Sequence, residues 1–262
     1  MVETFPLTVG PRPRSFLRVA GADAAAFLQA LVSNDVEALA DGESCEALLL
    51  TPKARVIAPL VVLRRGTEDF LVLTEPELGE RVRAQLVRFR LRSEVEIEPE
   101  EHESVVVLGQ TEGGIPNRDY GVPAVELLDD RPAGREASEG ELELLRIRAR
   151  TPRMGHEIDD RVLPAEAGLV ERAVSFSKGC YPGQEPVVRL HHRGHANRGL
   201  RVLELEGELP EYDSEVRLGE KVVGRVTSAA RDGDCVIALA YVRVDVAPDV
   251  PLVVAGSLAR QA

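Results

Sequence analysis

Lys178-Gly179-Cys180-Tyr181-Pro182-Gly183-Gln184-Glu185 gathers an ammonium, a thiol, a phenol, two glycines and a carboxylate into eight consecutive residues. Gly179 and Gly183 permit backbone shapes that other residues resist, and they let the main chain come close to a neighbour. A thiol two residues from Lys178 and just ahead of a helix start has physical grounds for a lowered pKa. A small buried Cys in a tight turn is the competing reading, of equal weight on spacing alone. The other two cysteines, Cys45 and Cys235, lie in apolar strand contexts and read as core. Three widely spaced cysteines without a CxxC pair fit a reducing compartment and not a disulfide framework.

Working outward from this octet, His191, His192 and His195 follow it closely. Adjacent histidines on one segment rarely ligate together and no second Cys completes four ligands, so no metal is expected. Arg193, Arg198 and Arg201 read as a solvated face. Upstream, Gly21-Ala22-Asp23 precedes Phe27, Leu28, Leu31 and Val32, an apolar stripe at helical spacing, which Ser33-Asn34-Asp35 breaks and Val36–Leu39 briefly resumes. Ala47–Thr51, Val56–Leu63 and Phe70–Thr74 read as strands. Pro76 then opens a helix to about Arg92, with Leu78, Val82, Leu86 and Phe89 facing inward and charges that match its dipole. Val95–Ile97 and Val105–Leu108 are strands, 109–140 is rich in loops, and Glu141–Arg148 is a helix. From Leu200 onward the segments are short and alternating: Arg201–Glu206, Glu215–Leu218, Val222–Ser228 and Cys235–Val244. That pattern predicts a small antiparallel barrel or sandwich. The class is α+β with a β-rich tail.

The chain of 262 residues is 44% apolar and 29% charged, an ordinary globular balance. Its net charge of −12 sets up no general field for nucleic acid or anionic lipid, and 4% aromatics without Trp argues against a base-stacking surface. Neither a signal peptide nor a membrane span is seen, so a cytoplasmic protein is expected. Of the 32 basic residues 29 are Arg, and the three lysines are Lys53, Lys178 and Lys221. A Lys kept against that bias marks a place where a compact charge serves better than a planar fork.

The octet resembles the K-G-C-Y-x-G-Q-E signature of the YgfZ family of folate-binding proteins. The resemblance runs along essentially the whole chain: Val19–Ala24, Phe27-Leu28-Gln29, Ser33–Val36, Thr51–Arg55, Leu145-Arg146-Ile147, Pro152 through Leu169, Gly224–Ser228 and Ala238–Val242. The later segments are also similar to the related glycine-cleavage T-protein, an aminomethyltransferase. This resemblance implies a three-lobed ring with a C-terminal β-barrel and tetrahydrofolate or a derivative near its centre. It divides the chain into an N-terminal α+β folate-binding lobe (1–105), a central α+β lobe carrying the octet (106–195) and the barrel (196–262).

By the same resemblance, Cys180 is the functional thiol, Lys178 its electrostatic neighbour and Gln184 and Glu185 orienting groups. Gly179, Tyr181 and Gly183 complete the motif, while Asn34, Asp35 and Arg146 line the folate cavity. The implied role is an accessory protein for iron–sulfur cluster assembly or maintenance in client enzymes, including tRNA-modifying ones. Its partners would be assembly proteins or those clients, with no direct nucleic-acid or membrane contact. Several residues depart from the T-protein. Thr74-Glu75-Pro76 stands where the transferase carries the segment leading to its catalytic Asp. Its pterin-holding Glu has no match near Asp119–Pro123, Arg148 and Arg150 replace an acid and a glycine, and Pro186 follows Glu185 in place of the family's usual Val. A folate-dependent aminomethyl or other one-carbon transferase is the enzyme alternative. A folate-free scaffold is the third reading, favoured if Arg148 or Arg150 blocks the cavity.

Overall fold

Alternating apolar residues build the first of two five-stranded sheets. The computed structural model describes residues 7–194 and 196–261, the side chain of Arg193 excepted. The first sheet runs Ser44–Leu50, Val56–Gly66, Asp69–Thr74, Ser15–Ala20, Glu96–Glu100, antiparallel throughout. Leu17, Val19, Phe70 and Val72 point to one face, where helices α1 (Ala24–Leu31) and α2 (Gly79–Arg90) cover them with Phe27, Leu28, Val82 and Leu86. The two-residue period sends Phe16, Leu71 and Leu73 to the other face, against Ile115 of the second sheet. The expected helix from Pro76 is a short 3-10 turn, Pro76–Leu78, leading into α2. Phe89, expected inside, is 43% exposed because the core cluster under α2 stops at Leu86. Val36–Leu39 is a turn and not a helical continuation: the backbone becomes extended at Val32, which ends α1, and the Asp35 carboxylate accepting from the Ala38 N–H holds a separate turn.

The second sheet runs Arg135–Glu136, Thr8–Pro11, Ser104–Leu108, Ala124–Leu128, Ile115–Pro116, with one parallel pair between Thr8–Pro11 and Arg135–Glu136. Helix α3 (Glu139–Arg148) starts at a capping box, in which Ser138 Oγ accepts from the Glu141 N–H and the Glu141 carboxylate accepts from the Ser138 N–H. It lays Leu142 and Leu145 onto Val106 and Leu108.

The tail closes into a six-stranded antiparallel barrel, in the order Arg198–Glu206, Cys235–Arg243, Lys221–Asp232, Glu215–Leu218, Leu252–Val254, Ser257–Gln261. The mixed class with a C-terminal barrel is therefore the observed one. Between the second sheet and the barrel, residues 149–193 carry the short helix α4 (Val170–Ala173) and α5 (Gln184–Arg193). Ile158, Val162, Leu169, Tyr181 and Val187 from this segment pack on Leu48, Leu50 and Val56 of the first sheet and on Tyr241 of the barrel. This segment holds the parts together. No helix among the described residues is long and apolar enough to cross a membrane.

Candidate functional site

The octet folds as a loop pinned at both ends. Lys178 is 8% exposed, and its Nζ donates to the carbonyls of Gln29, Val32 and Asn34 at 2.6, 2.7 and 2.8 Å. These oxygens lie at and just beyond the C-terminus of α1, where carbonyls lack intrahelical partners and the helix dipole favours a cation. All three N–H donors of the ammonium are used. Burial pulls Lys178 down to about 8, against the attraction of Asp35. Tyr181 is buried as well, with Lys178 Nζ 5.4 Å from its ring centre. Burial pushes its phenol up to about 12, and the hydroxyl has no hydrogen-bond partner among the described residues. Between these two anchors Gly179 and Cys180 are exposed.

Gly183 fixes the other end. Its φ is +84°, and a Cβ there would stand 2.6 Å from the Thr51 carbonyl oxygen. Neither the conformation nor the space admits a side chain. Gln184 and Glu185 open α5, the first half-buried and the second exposed. Pro186 falls in the first turn of α5, where a missing N–H breaks no intrahelical bond. Cys45 and Cys235, expected in the core, are half-buried.

Asn34 meets the octet through the Lys178 bond to its carbonyl, and Asp35 attracts the Lys178 ammonium without bonding it. Their side chains shape the turn: Asn34 Nδ2 donates to Glu46 O at 2.7 Å, and Asp35 Oδ1 accepts from Gln29 Nε2 at 3.0 Å.

A cavity of about 580 Å³ opens between the two sheets, α3 and the 151–154 segment. Leu60, Val61, Met154 and Leu169 give it apolar walls, and Arg146 is on its lining, whereas Asn34, Asp35 and residues 178–185 are not. Its polar wall is a lattice of ion pairs that the sequence reading missed. Arg12 bonds Glu75 at 2.8 Å and Asp119 at 3.0 Å, Arg14 bonds Glu75 and the buried Glu126, and Arg172 bonds Asp119 and Glu46. Burial alone would raise the Asp119 carboxyl, but Arg12, Arg14 and Arg172 bring it down to about 2. Glu75 is likewise lowered: burial works against it, and Arg12 and Arg14 prevail. Three buried polar atoms of the lining residues have no partner among the described residues: Arg12 Nε, Thr151 Oγ1 and Arg153 Nε. The one sequence signal was the alternation Pro11-Arg12-Pro13-Arg14, which puts two guanidinium groups along one extended segment.

No protein-family model matches the chain. It is 28% identical over 276 residues to the tRNA-modifying protein YgfZ of Escherichia coli O157:H7, covering 88% of this chain and 83% of that protein. It is 26% identical over 249 residues to the mitochondrial iron–sulfur cluster assembly factor IBA57 of Mus musculus, covering 75% of this chain and 66% of that one. The chain is a relative of the YgfZ and IBA57 proteins. Its fold is that of the glycine cleavage system aminomethyltransferase T from Bartonella henselae, with a TM-score of 0.81 over 98% of this chain and 85% of that one at 16% identity.

In this YgfZ relative Arg146 is a structural tie. Its guanidinium donates to both Glu143 oxygens at 2.8 Å, to Thr151 O, to Glu157 Oε2 and to Ser228 Oγ of the barrel at 2.7 Å, which uses all five N–H groups. Glu157, fully buried, also accepts from Ser228 Oγ at 2.6 Å and the Arg153 N–H at 3.0 Å. This network joins α3 to the barrel. Arg148 is exposed and pairs with Asp232, Arg150 is exposed at φ +57°, and neither lines the cavity. His191 stacks on Phe176 at 4.1 Å, and no group of metal-binding side chains is present among the described residues. His195 lies outside them, as does the side chain of Arg193. Arg198 pairs with Glu166, and Arg201 donates to the carbonyls of Val246 and Arg243, so both are intramolecular ties.

Proposed function

We propose that the chain is a cytoplasmic folate-binding accessory protein that supports iron–sulfur cluster assembly or maintenance in cluster-dependent enzymes, including those that modify tRNA. The observation that carries this reading is the loop in which buried Lys178 and Tyr181 bracket exposed Gly179 and Cys180. A thiol held out on a rigid support is available to a partner and contributes little to packing. Relatives named for tRNA modification and for iron–sulfur cluster assembly support the same class of role.

The cavity suits a folate. A volume of about 580 Å³ is in the range of small-molecule sites, and the apolar walls fit a flat heteroaromatic ring. Arg12 Nε, Thr151 Oγ1 and Arg153 Nε are buried polar atoms that a ligand's polar edge would satisfy. Tetrahydrofolate would supply a one-carbon carrier there, held by these three residues with Leu60, Met154 and Leu169 against its rings.

The transferase alternative rests on the shared fold. Against it stands Glu75, whose carboxylate is held by Arg12 and Arg14 and lowered in pKa. Such a carboxylate is a weak general base. Calorimetric titration with tetrahydrofolate should show binding that Met154→Trp abolishes by filling the cavity. Glycine-cleavage reconstitution with this chain as the only T-component should show no turnover. Absence of binding heat would leave the folate-free scaffold, and turnover at a T-protein's level would establish the transferase.

A further inference from the structure

Helix α2 is strongly basic in an acidic protein. Residues 79–92 contain five arginines and a single acid, Glu80, within a chain of net charge −12. Val82 and Leu86 face the sheet. On the opposite side Ala84 and Val87 stand at i, i+3 spacing, and Leu91 caps the helix just beyond them. Val87 is 40% and Leu91 89% exposed. Leu91 adopts φ +38°, an unfavourable conformation for a branched side chain, with no burial to offset it.

Helical geometry sets Arg81 and Arg88 along one flank of Ala84 and Val87 and Arg83 and Arg90 along the other. Arg81, Arg88, Arg90 and Arg92 have no ion pair or hydrogen-bond partner among the described residues, and only Arg83 reaches an acid, Glu80 at 3.7 Å. The arginines of the cavity are by contrast largely engaged by carboxylates. Exposed apolar side chains flanked by guanidinium groups, of which only that of Arg83 is paired, form a recognition surface.

We propose that the outer face of α2 docks a partner protein presenting an acidic amphipathic helix. The apolar strip is one helix wide and fits between the side-chain rows of a facing helix. The flanking arginines match acids on either side of that helix's apolar stripe, as charges flank a coiled-coil seam. A nucleic-acid backbone would satisfy the arginines but leave Val87 and Leu91 against phosphate and sugar. An anionic membrane would be repelled by the rest of the chain. A symmetric dimer through this face would set arginine against arginine. The surface is separate from the cavity and from Cys180, and the proposal does not depend on what either of them does.

The test uses the full chain and fluorescence anisotropy with a labelled synthetic three-heptad peptide, Leu at a and d and Glu at e and g. Its sequence-scrambled form, an oligoglutamate, an RNA hairpin and phosphatidylserine vesicles are the comparisons. The amphipathic peptide should bind best. Both the double variant Arg88→Glu with Arg90→Glu and the single variant Leu91→Asp should weaken it by about tenfold or more, with thermal unfolding unchanged. Equal binding of the scrambled peptide, or no effect of the variants, would overturn the proposal. So would preferential binding of the hairpin or vesicles, or self-association that Leu91→Asp abolishes.

Discussion

Replacing Lys178 by Met should damage the fold of the octet before it affects the chemistry of Cys180. Met keeps the apolar stem but removes the ammonium that satisfies the Gln29, Val32 and Asn34 carbonyls. A buried acceptor left without a donor costs about 1–3 kcal/mol. Two of the three bonds are only partly buried, so water recovers some of that loss, and about 1 kcal/mol per carbonyl gives roughly 3 kcal/mol in all. At about 2–4 °C per kcal/mol for a chain of this size, the melting temperature should fall by about 6–12 °C. Lys178→Arg should recover little, because a planar fork cannot direct N–H groups at three carbonyls converging on one atom. The assay is thermal unfolding followed by circular dichroism, alongside the pH dependence of Cys180 alkylation by iodoacetamide in a Cys45→Ala, Cys235→Ala background. Suppose instead that Lys178→Met melts within about 1 °C of the parent and its alkylation profile moves to higher pH. Lys178 would then act on the thiol electrostatically, and the anchoring argument would be refuted.

Tyr181→Phe should be neutral or stabilising in denaturant titration, since it removes a buried hydroxyl with no partner and keeps the ring under Lys178; a loss above about 1 kcal/mol would show that the hydroxyl is bonded after all. Gly183→Ala should destabilise by about 2 kcal/mol or more, combining a left-handed backbone with a 2.6 Å approach to Thr51 O, and a melting temperature equal to the parent's would contradict this geometry. Asp119 is held at about 2 in the fold, below its ordinary 3.8, so its contribution is complete above the unfolded value and disappears as pH falls through about 2. Thermal unfolding from pH 5 to 2 should therefore show a loss of about 2 kcal/mol from this group, and Asp119→Asn should flatten the curve; an unchanged slope would mean that Asp119 is not paired in solution.

Local chemistry was legible in the sequence where neighbours along the chain decide the structure. Pro76 and the charges around α2, the Ser33-Asn34-Asp35 break after α1 and the alternation of the first four barrel strands each act within a few residues. The octet was legible as a motif, and the burial of Lys178 matches a Lys kept where Arg is a poor substitute. What Lys178 does was not legible, because its acceptors lie 144–149 residues away. The cavity lattice was hidden for the same reason: the Arg12–Glu75, Arg12–Asp119 and Arg14–Glu126 pairs span 63, 107 and 112 residues. Arg146 lines the cavity; its bonds to Glu143 and Thr151 are local, whereas those to Glu157 and to Ser228 of the barrel, 82 residues away, depend on the fold. The strand Ala124–Leu128 escaped notice among Gly121, Pro123, Pro132 and Gly134, whose turn chemistry dominates that stretch. Leu252–Val254 and Ser257–Gln261 are too short to show a period by themselves and are strands because the barrel has to close.

The most direct test of the account is Cys180→Ala in a strain lacking the native protein, with cluster-enzyme activity measured per amount of folded protein and the melting temperature measured on the purified chain. An exposed thiol fills little core, so the variant should melt within about 1–2 °C of the parent. Its support of cluster-dependent enzymes should be abolished, while Cys45→Ala and Cys235→Ala keep full support. Activity equal to the parent's, or lost only in proportion to folded protein, would contradict a functional role for the thiol and with it the proposed function.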